Sequence, residues 1–197
     1  MAFYTGYVVL PTNTYLAWKN AVAGNGYDAD GFYGDQCWDL CAEFWHNLGF
    51  PAGYPLTGTN HYASECWTQN KENNTSYNGT QYFDLIYSIS EVKQGDVVVF
   101  DGTANFPTGH IGFADEDYDG SGNIAILGQN QGSGGTPPPI SNPAGGTTAN
   151  VKSLPTSNFL GAFRYKNWMQ PEPIHRRKGT FKWVLYARKL NYIKRKL

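Results

Sequence analysis

Apolar residues along this chain follow two different periods, and the change falls near residue 70. Before it, apolar positions recur every three or four residues, as on one face of a helix. Residues 12–23 predict a short helix. Thr12 or Asn13 can cap it, Leu16, Ala17, Ala21 and Val22 form an apolar side, and Gly24 and Gly26 end it. Residues 37–48 predict a second helix that buries Leu40, Cys41, Phe44, Trp45 and Leu48. Gly49 suits its carboxyl cap and Pro51 prevents continuation. Residues 51–59 read as loop, and 60–69 as a third short helix.

After residue 70 the apolar runs become short and rich in β-branched residues, bounded by turn signals. Residues 82–89, 97–100, 109–114, 124–127, 149–154 and 159–165 read as strands or extended apolar segments. Gly95-Asp96 is a turn, and residues 115–122 form an acidic hairpin loop. Residues 131–146 are too rich in Gly, Pro and Ser for a regular element. Helices first and strands afterwards argue for an α+β fold, with amino-terminal helices packed on a central antiparallel sheet.

The chain has 197 residues, enough for one sizeable domain with a little left over. Its net charge is −1, but the signs are segregated. Residues 1–170 hold 6 Lys and Arg against 15 Asp and Glu, a charge of −9; residues 171–197 hold 9 against 1, a charge of +8. An acidic body argues against nucleic acid as the main ligand. Residues 1–169 therefore read as the globular domain, and 170–197 as a Pro-containing linker and basic tail. The tail alone could bind phosphate-rich or anionic surfaces. Three cysteines, two of them one helical turn apart, argue against a disulfide framework and for a reducing compartment. No signal peptide or membrane span is expected from residues 1–11.

Two chemistries overlap in residues 28–39. Asp28, Asp30 and Asp39 stand at positions 1, 3 and 12 of an oxygen-ligand loop, a spacing that can surround one calcium ion. Cys37 falls where the second helix begins, and the positive end of a helix dipole favours a thiolate. A cysteine nucleophile needs a base. His46 lies nine residues along the same helix, His61 in a loop or short helix, and His175 in the tail. His110 opens a strand between Gly109 and Gly112, which permit close approach. Gln129 or Asn130, at the end of the next strand, would fall near the start of the His110 strand and orient its ring, a Cys–His–Asn arrangement. Cys41 and Cys66 read as buried apolar side chains. Trp38, Tyr62 and Trp67 read equally as groove or core.

Taken together, residues 28–39 (Asp-x-Asp-Gly-x-Tyr-Gly-x-Gln-Cys-x-Asp), Gly95-Asp96-Val97-Val98-Val99-Phe100, Gly109-His110-Ile111-Gly112, Gln129-Asn130 and Phe159-Leu160-Gly161-Ala162-Phe163-Arg164-Tyr165 resemble the CHAP family. These are cysteine- and histidine-dependent amidohydrolases and peptidases of phage endolysins and Gram-positive bacteria. The resemblance covers roughly residues 12–168. It implies a papain-like, NlpC/P60-like fold and hydrolysis of amide bonds in peptidoglycan, by an amidase or a stem or bridge endopeptidase. Cys37 matches the family nucleophile and His110 its base. The family often carries Glu-Gln-Asn where this chain has Gly128-Gln129-Asn130; the acid is absent, which leaves Asn130 as the orienting residue. The backbone N–H of Cys37 and the side chain of Gln36 are expected to face the oxyanion. The resemblance also implies calcium ligands at Asp28, Asp30 and Asp39, with Phe32 and Gly34 contributing backbone carbonyls.

The implied protein is a monomeric phage-type endolysin, made in the host cytoplasm and acting on the bacterial wall, and its tail then has three readings: an anchor for an anionic wall or membrane through residues 174–197, a truncated or minimal wall-binding module, or a solubilising segment. Rival readings are a virion-associated or bacterial wall-remodelling hydrolase, a non-catalytic wall-binding protein on the same fold, and membrane action by the cationic tail.

Overall fold

A computed structural model of the chain describes residues 14–32, 34–72, 82–104, 106–131 and 146–168. Three helices come first: α1 (Tyr15–Val22), α2 (Cys37–Asn47) and α3 (Glu65–Glu72). Six strands follow: β1 (Phe83–Ile86), β2 (Val97–Phe100), β3 (His110–Ala114), β4 (Asn123–Gly128), β5 (Asn150–Pro155) and β6 (Phe159–Tyr165). They form one sheet in the order β1-β6-β2-β3-β4-β5, and every neighbouring pair is antiparallel. The α+β expectation holds, and each strand predicted from β-branched content is present. The expectations for residues 12–13, 73–79, 132–145 and the basic tail lie outside the described residues.

The helices form where their patterns place them, but α1 turns a different side inward. Thr14 caps it, its Oγ1 accepting the Ala17 N–H at 3.3 Å. Tyr15, Trp18 and Val22 are buried, while Leu16 is 60% exposed. Two aromatics at i and i+3 carry more apolar area than Leu16 and Ala17, so they claim the core. On α2 the expected face holds: Leu40, Cys41, Phe44 and Trp45 are buried, with Leu48 half-buried after the helix end. The third helix begins later than expected, at Glu65, after turns at residues 59–60 and 63–64 and a left-handed His61 (φ 58) between them.

Alternation along the strands gives the sheet two apolar faces. Val97, Val99, Ile111, Phe113 and Phe163 meet the helices, while Val98, Phe100, Ala114, Ile126 and Ala162 form a second cluster. The first face is an aromatic nest around Phe44. Its ring lies 5.2 Å from those of Trp18 and Phe113, 5.4 Å from Tyr165 and 5.3 Å from Trp168. Each such pair contributes about 0.5–1.5 kcal/mol beyond burial. Polar ties close the edges of this layer. Buried Asp96, before β2, takes two hydrogen bonds from Arg164 of β6 (2.9 and 2.8 Å). Asp115, after β3, accepts from Tyr15 and Lys19 of α1, both at 2.7 Å. The consequence for function is that α2 is anchored on β3 by its aromatic half, which holds its amino end in a fixed place.

Candidate active site

The amino end of α2 is built by the acidic loop that precedes it. Asp39, the third helical residue, folds back so that Oδ2 accepts the Gln36 N–H (2.8 Å) and Oδ1 the Ala29 N–H (2.9 Å). One buried carboxylate thus closes the helix end and ties down the loop. Cys37 opens the helix and is partly buried. Its sulfur faces the backbone N–H groups of Ile111, Trp38 and Cys37 itself. Burial nevertheless dominates and pushes the thiol up to about 11. The Ile111 contact sets the sulfur beside the start of β3.

His110 is the first residue of β3 and is 1% exposed. The backbone before it requires glycine: Gly109 has φ +78, and a Cβ there would stand 2.5 Å from the Phe100 carbonyl oxygen and 2.7 Å from Ser64 Cβ. Gly112 is equally confined, since its Cβ would come within 2.8 Å of the Leu127 oxygen. The His110 ring lies 4.9 Å from that of Phe106. Burial holds its pKa down at about 4, partly opposed by a hydrogen bond to Gln131, so the resting imidazole is neutral. Nδ1 is buried and has no hydrogen-bond partner among the described residues.

The third element is the turn after β4, and here the sequence expectation needs correcting. Phe113 pairs with Leu127 and Ala114 with Ile126. That register, carried on, would set Asn130 opposite His110. The pairing with β3 instead ends at Leu127, β4 itself ends at Gly128, and Asn130 adopts a left-handed conformation (φ 52). Its Nδ2 donates to Gln36 Oε1 at 2.6 Å. The group that meets the imidazole is Gln131, with Oε1 3.0 Å from His110 Nε2. Gln129, the other option, donates to the Tyr27 carbonyl at 2.9 Å and ties the acidic loop to β4. So Gln36 and Cys37, Asn130 and Gln131, and His110 and Ile111 form one chain of contacts among three elements. Gln131 was missed because the stretch it opens reads as loop. The available signal was the run of three amides, 129–131, after a glycine with no side chain.

Asp28, Asp30 and Asp39 converge as the spacing implied: one carboxylate oxygen from each lies within 4.8 Å of the others. Asp28 Oδ1 is buried without a hydrogen-bond partner among the described residues. Asp39 is pushed up to about 8 by burial and by the charges of Asp30 and Asp28, and burial also raises Asp30. Crowded, desolvated carboxylates with an unmatched oxygen fit a hard cation. Phe32 lies 56% exposed at the loop tip with its N–H on Asp30 Oδ1 (2.8 Å), and Gly34 has φ +67. Of the aromatic groove candidates, Trp67 belongs to the core, 5.2 Å from Phe163. Trp38 is partly buried and donates to the Pro55 oxygen (2.8 Å), and Tyr62 is exposed. Cys41 and Cys66 are buried free thiols.

Helices stacked on an antiparallel sheet, with a cysteine opening the central helix and a histidine opening the facing strand, define the papain-like architecture. Within it, the chain belongs to the CHAP domain family, whose model matches residues 22–130. A curated relative, the D-alanyl-L-alanine endopeptidase of Streptococcus phage B30, is 35% identical over 159 residues, covering 79% of this chain and 31% of the relative. The chain therefore spans about a third of that protein's length. The crystal structure of the wild-type endolysin LysIME-EF1 superposes with a TM-score of 0.51 at 24% identity, over 78% of this chain and 63% of that one, a likeness of fold. No helix among the described residues is long and apolar enough to cross a membrane.

Proposed function

We propose that this protein is a phage-type lytic cysteine hydrolase that cleaves amide bonds of Gram-positive peptidoglycan. The observation that carries this reading is the convergence of Cys37, His110 and the Asn130–Gln131 turn, in a chain of this family whose phage relative is an endopeptidase. The relative's name makes a D-alanyl-L-alanine linkage the first bond to test, with the amide between sugar and stem peptide next.

Both partners rest neutral, since burial raises the thiol and lowers the imidazole. His110 takes the Cys37 proton as the sulfur attacks the carbonyl carbon, so charge develops only along the reaction path. The tetrahedral oxyanion is received by the Cys37 backbone N–H and the Gln36 carboxamide. Asn130 holds Gln36 by its Oε1, which turns the amide nitrogen of Gln36 into the donor. His110 then protonates the leaving amine, and water activated by His110 hydrolyses the thioester. Asn130 thus acts on the oxyanion side of the site.

Asp28, Asp30 and Asp39, with backbone carbonyls of Phe32 and Gly34, would hold a calcium ion. Calcium would supply charge neutralisation that fixes the loop beneath Gln36 and Cys37. The protein would act on the wall after synthesis in the host cytoplasm, as a monomer of one catalytic domain (residues 1–169) with a basic tail that contacts anionic wall or membrane. The test is mass spectrometry of purified Gram-positive peptidoglycan after digestion. New amino and carboxyl termini without new reducing sugar ends support an amidase or endopeptidase; new reducing ends, or intact walls, overturn the reading.

A further inference from the structure

Among the described residues, Gln131 is a strongly placed polar group beside His110 to which the proposed reaction gives no role. It is 2% exposed, and its amide nitrogen is within reach of three carbonyl oxygens: Ile126 and Gly128 at 3.1 Å, and Asn150 at 2.8 Å. Three acceptors fix which end of the carboxamide is nitrogen, because the flipped amide would point its oxygen at three other oxygens. Oε1 must therefore be the atom facing the ring, 3.0 Å from His110 Nε2. An amide oxygen only accepts, so the ring must donate there.

We infer that Gln131 is a positioning residue that fixes the His110 ring in its Nε2–H tautomer and so leaves Nδ1 as the basic nitrogen. Nδ1 is the ring nitrogen that has no hydrogen-bond partner among the described residues. The backbone prepares this contact in two ways. Asn130, at φ 52, turns the chain so that Gln131 reaches back under β4. Gly128 clears the space: a Cβ there would stand 3.1 Å from Gln131 Oε1 and Cδ and 3.2 Å from His110 Nε2. A side chain at 128 and the Gln131 carboxamide therefore compete for one position against the ring. Gln131 also joins β4 to β5 through Asn150, so the ring orienter is held by backbone on two strands.

This inference deepens the hydrolase reading and rests on it for its kinetic consequence, but the tautomer can be measured without turnover. Calcium-saturated full-length protein labelled with 15N at histidine would be examined at neutral pH, with the His110 ring signals identified by their loss in His110→Ala. The wild type should show a protonated Nε2 and a bare Nδ1; a protonated Nδ1 overturns the assignment. Two variants separate orientation from support. Gln131→Leu removes the ring contact and should lower the maximal rate on Gram-positive peptidoglycan about 10–100-fold, with the half-saturating wall concentration within about twofold. Gln131→Glu sets an acid against three carbonyl oxygens and should be the less stable protein, yet it keeps an oxygen on Nε2. It should therefore retain the Nε2–H tautomer and outperform Gln131→Leu per folded molecule. If activity instead follows stability, with Glu below Leu, Gln131 only supports the turn. If the wild type releases nothing from walls, the hydrolase reading fails, and the tautomer in wild type and Gln131→Leu decides this inference alone.

Discussion

The two ends of α2 sit in opposite surroundings. At the carboxyl half, Phe44 and Trp45 are buried among rings from α1, β1, β3 and β6. At the amino end, Cys37 and Asp39 meet backbone N–H groups and amides, and Asp39 faces the carboxylates of Asp28 and Asp30. The aromatic half gains from every contact it makes. The polar half is held against its own preferences: burial raises the Cys37 thiol and the Asp39 carboxyl, and on the facing strand β3 it lowers the His110 imidazole. The lesson is a division of labour within eleven residues: the dry half supplies the rigidity that the strained half requires.

Substitutions in the two halves should separate stability from chemistry. The largest stability effect is expected for Phe44→Ala. It should lower unfolding free energy by about 3–5 kcal/mol in urea melts, since it empties the centre of the nest. A loss under 1 kcal/mol would mean the rings repack freely. Next comes removal of divalent cation. If the three carboxylates hold calcium, a concentration a hundredfold above the dissociation constant adds about 2.7 kcal/mol. Chelation should therefore lower the melting temperature of the wild type but not of an Asp28→Asn, Asp30→Asn double variant. Equal shifts in both would remove calcium from this loop.

The pH dependence sharpens the same contrast. Burial disfavours the imidazolium of His110, so the base stays unprotonated until pH falls to about 4 rather than the ordinary 6.5. With calcium saturating, kcat/KM should hold nearly constant from pH 7 to about 5.5 and fall as pH approaches 4. A midpoint near 6.5 would show that the ring is solvated in the working enzyme. The smallest effect belongs to Leu16→Ala. Leu16 is 60% exposed on α1, so the change should stay within about 0.5 kcal/mol; a loss of 2 kcal/mol would restore the face the hydrophobic pattern first suggested.

Much of this was legible in the chain itself. Val97, Val98 and Val99, and the run from His110 to Ala114, announce strands by composition, and the short connections from β2 to β3 and from β3 to β4 make those strands antiparallel neighbours. Residues 28–39 announce both the carboxylate cluster and the thiol, because that chemistry depends on local spacing. Two things were not legible. Which side of α1 faces the core depends on Trp18 meeting Phe44 and Phe113, rings supplied by distant elements. The ring partner of His110 depends on one left-handed residue, Asn130, which shifts the contact from itself to Gln131. An intact ladder extrapolates to the wrong amide, since nothing in the residue names marks where the ladder stops.

The central claim is that Cys37 at the amino end of α2 is the nucleophile of a peptidoglycan amide hydrolase. The most direct measurement is turbidity loss of Gram-positive walls by wild type and Cys37→Ala, at equal concentration and with calcium, after melting curves show both folded. The account predicts clearing by the wild type and none by Cys37→Ala at unchanged melting temperature. Clearing by Cys37→Ala at the wild-type rate would contradict it and move the lytic action away from the thiol.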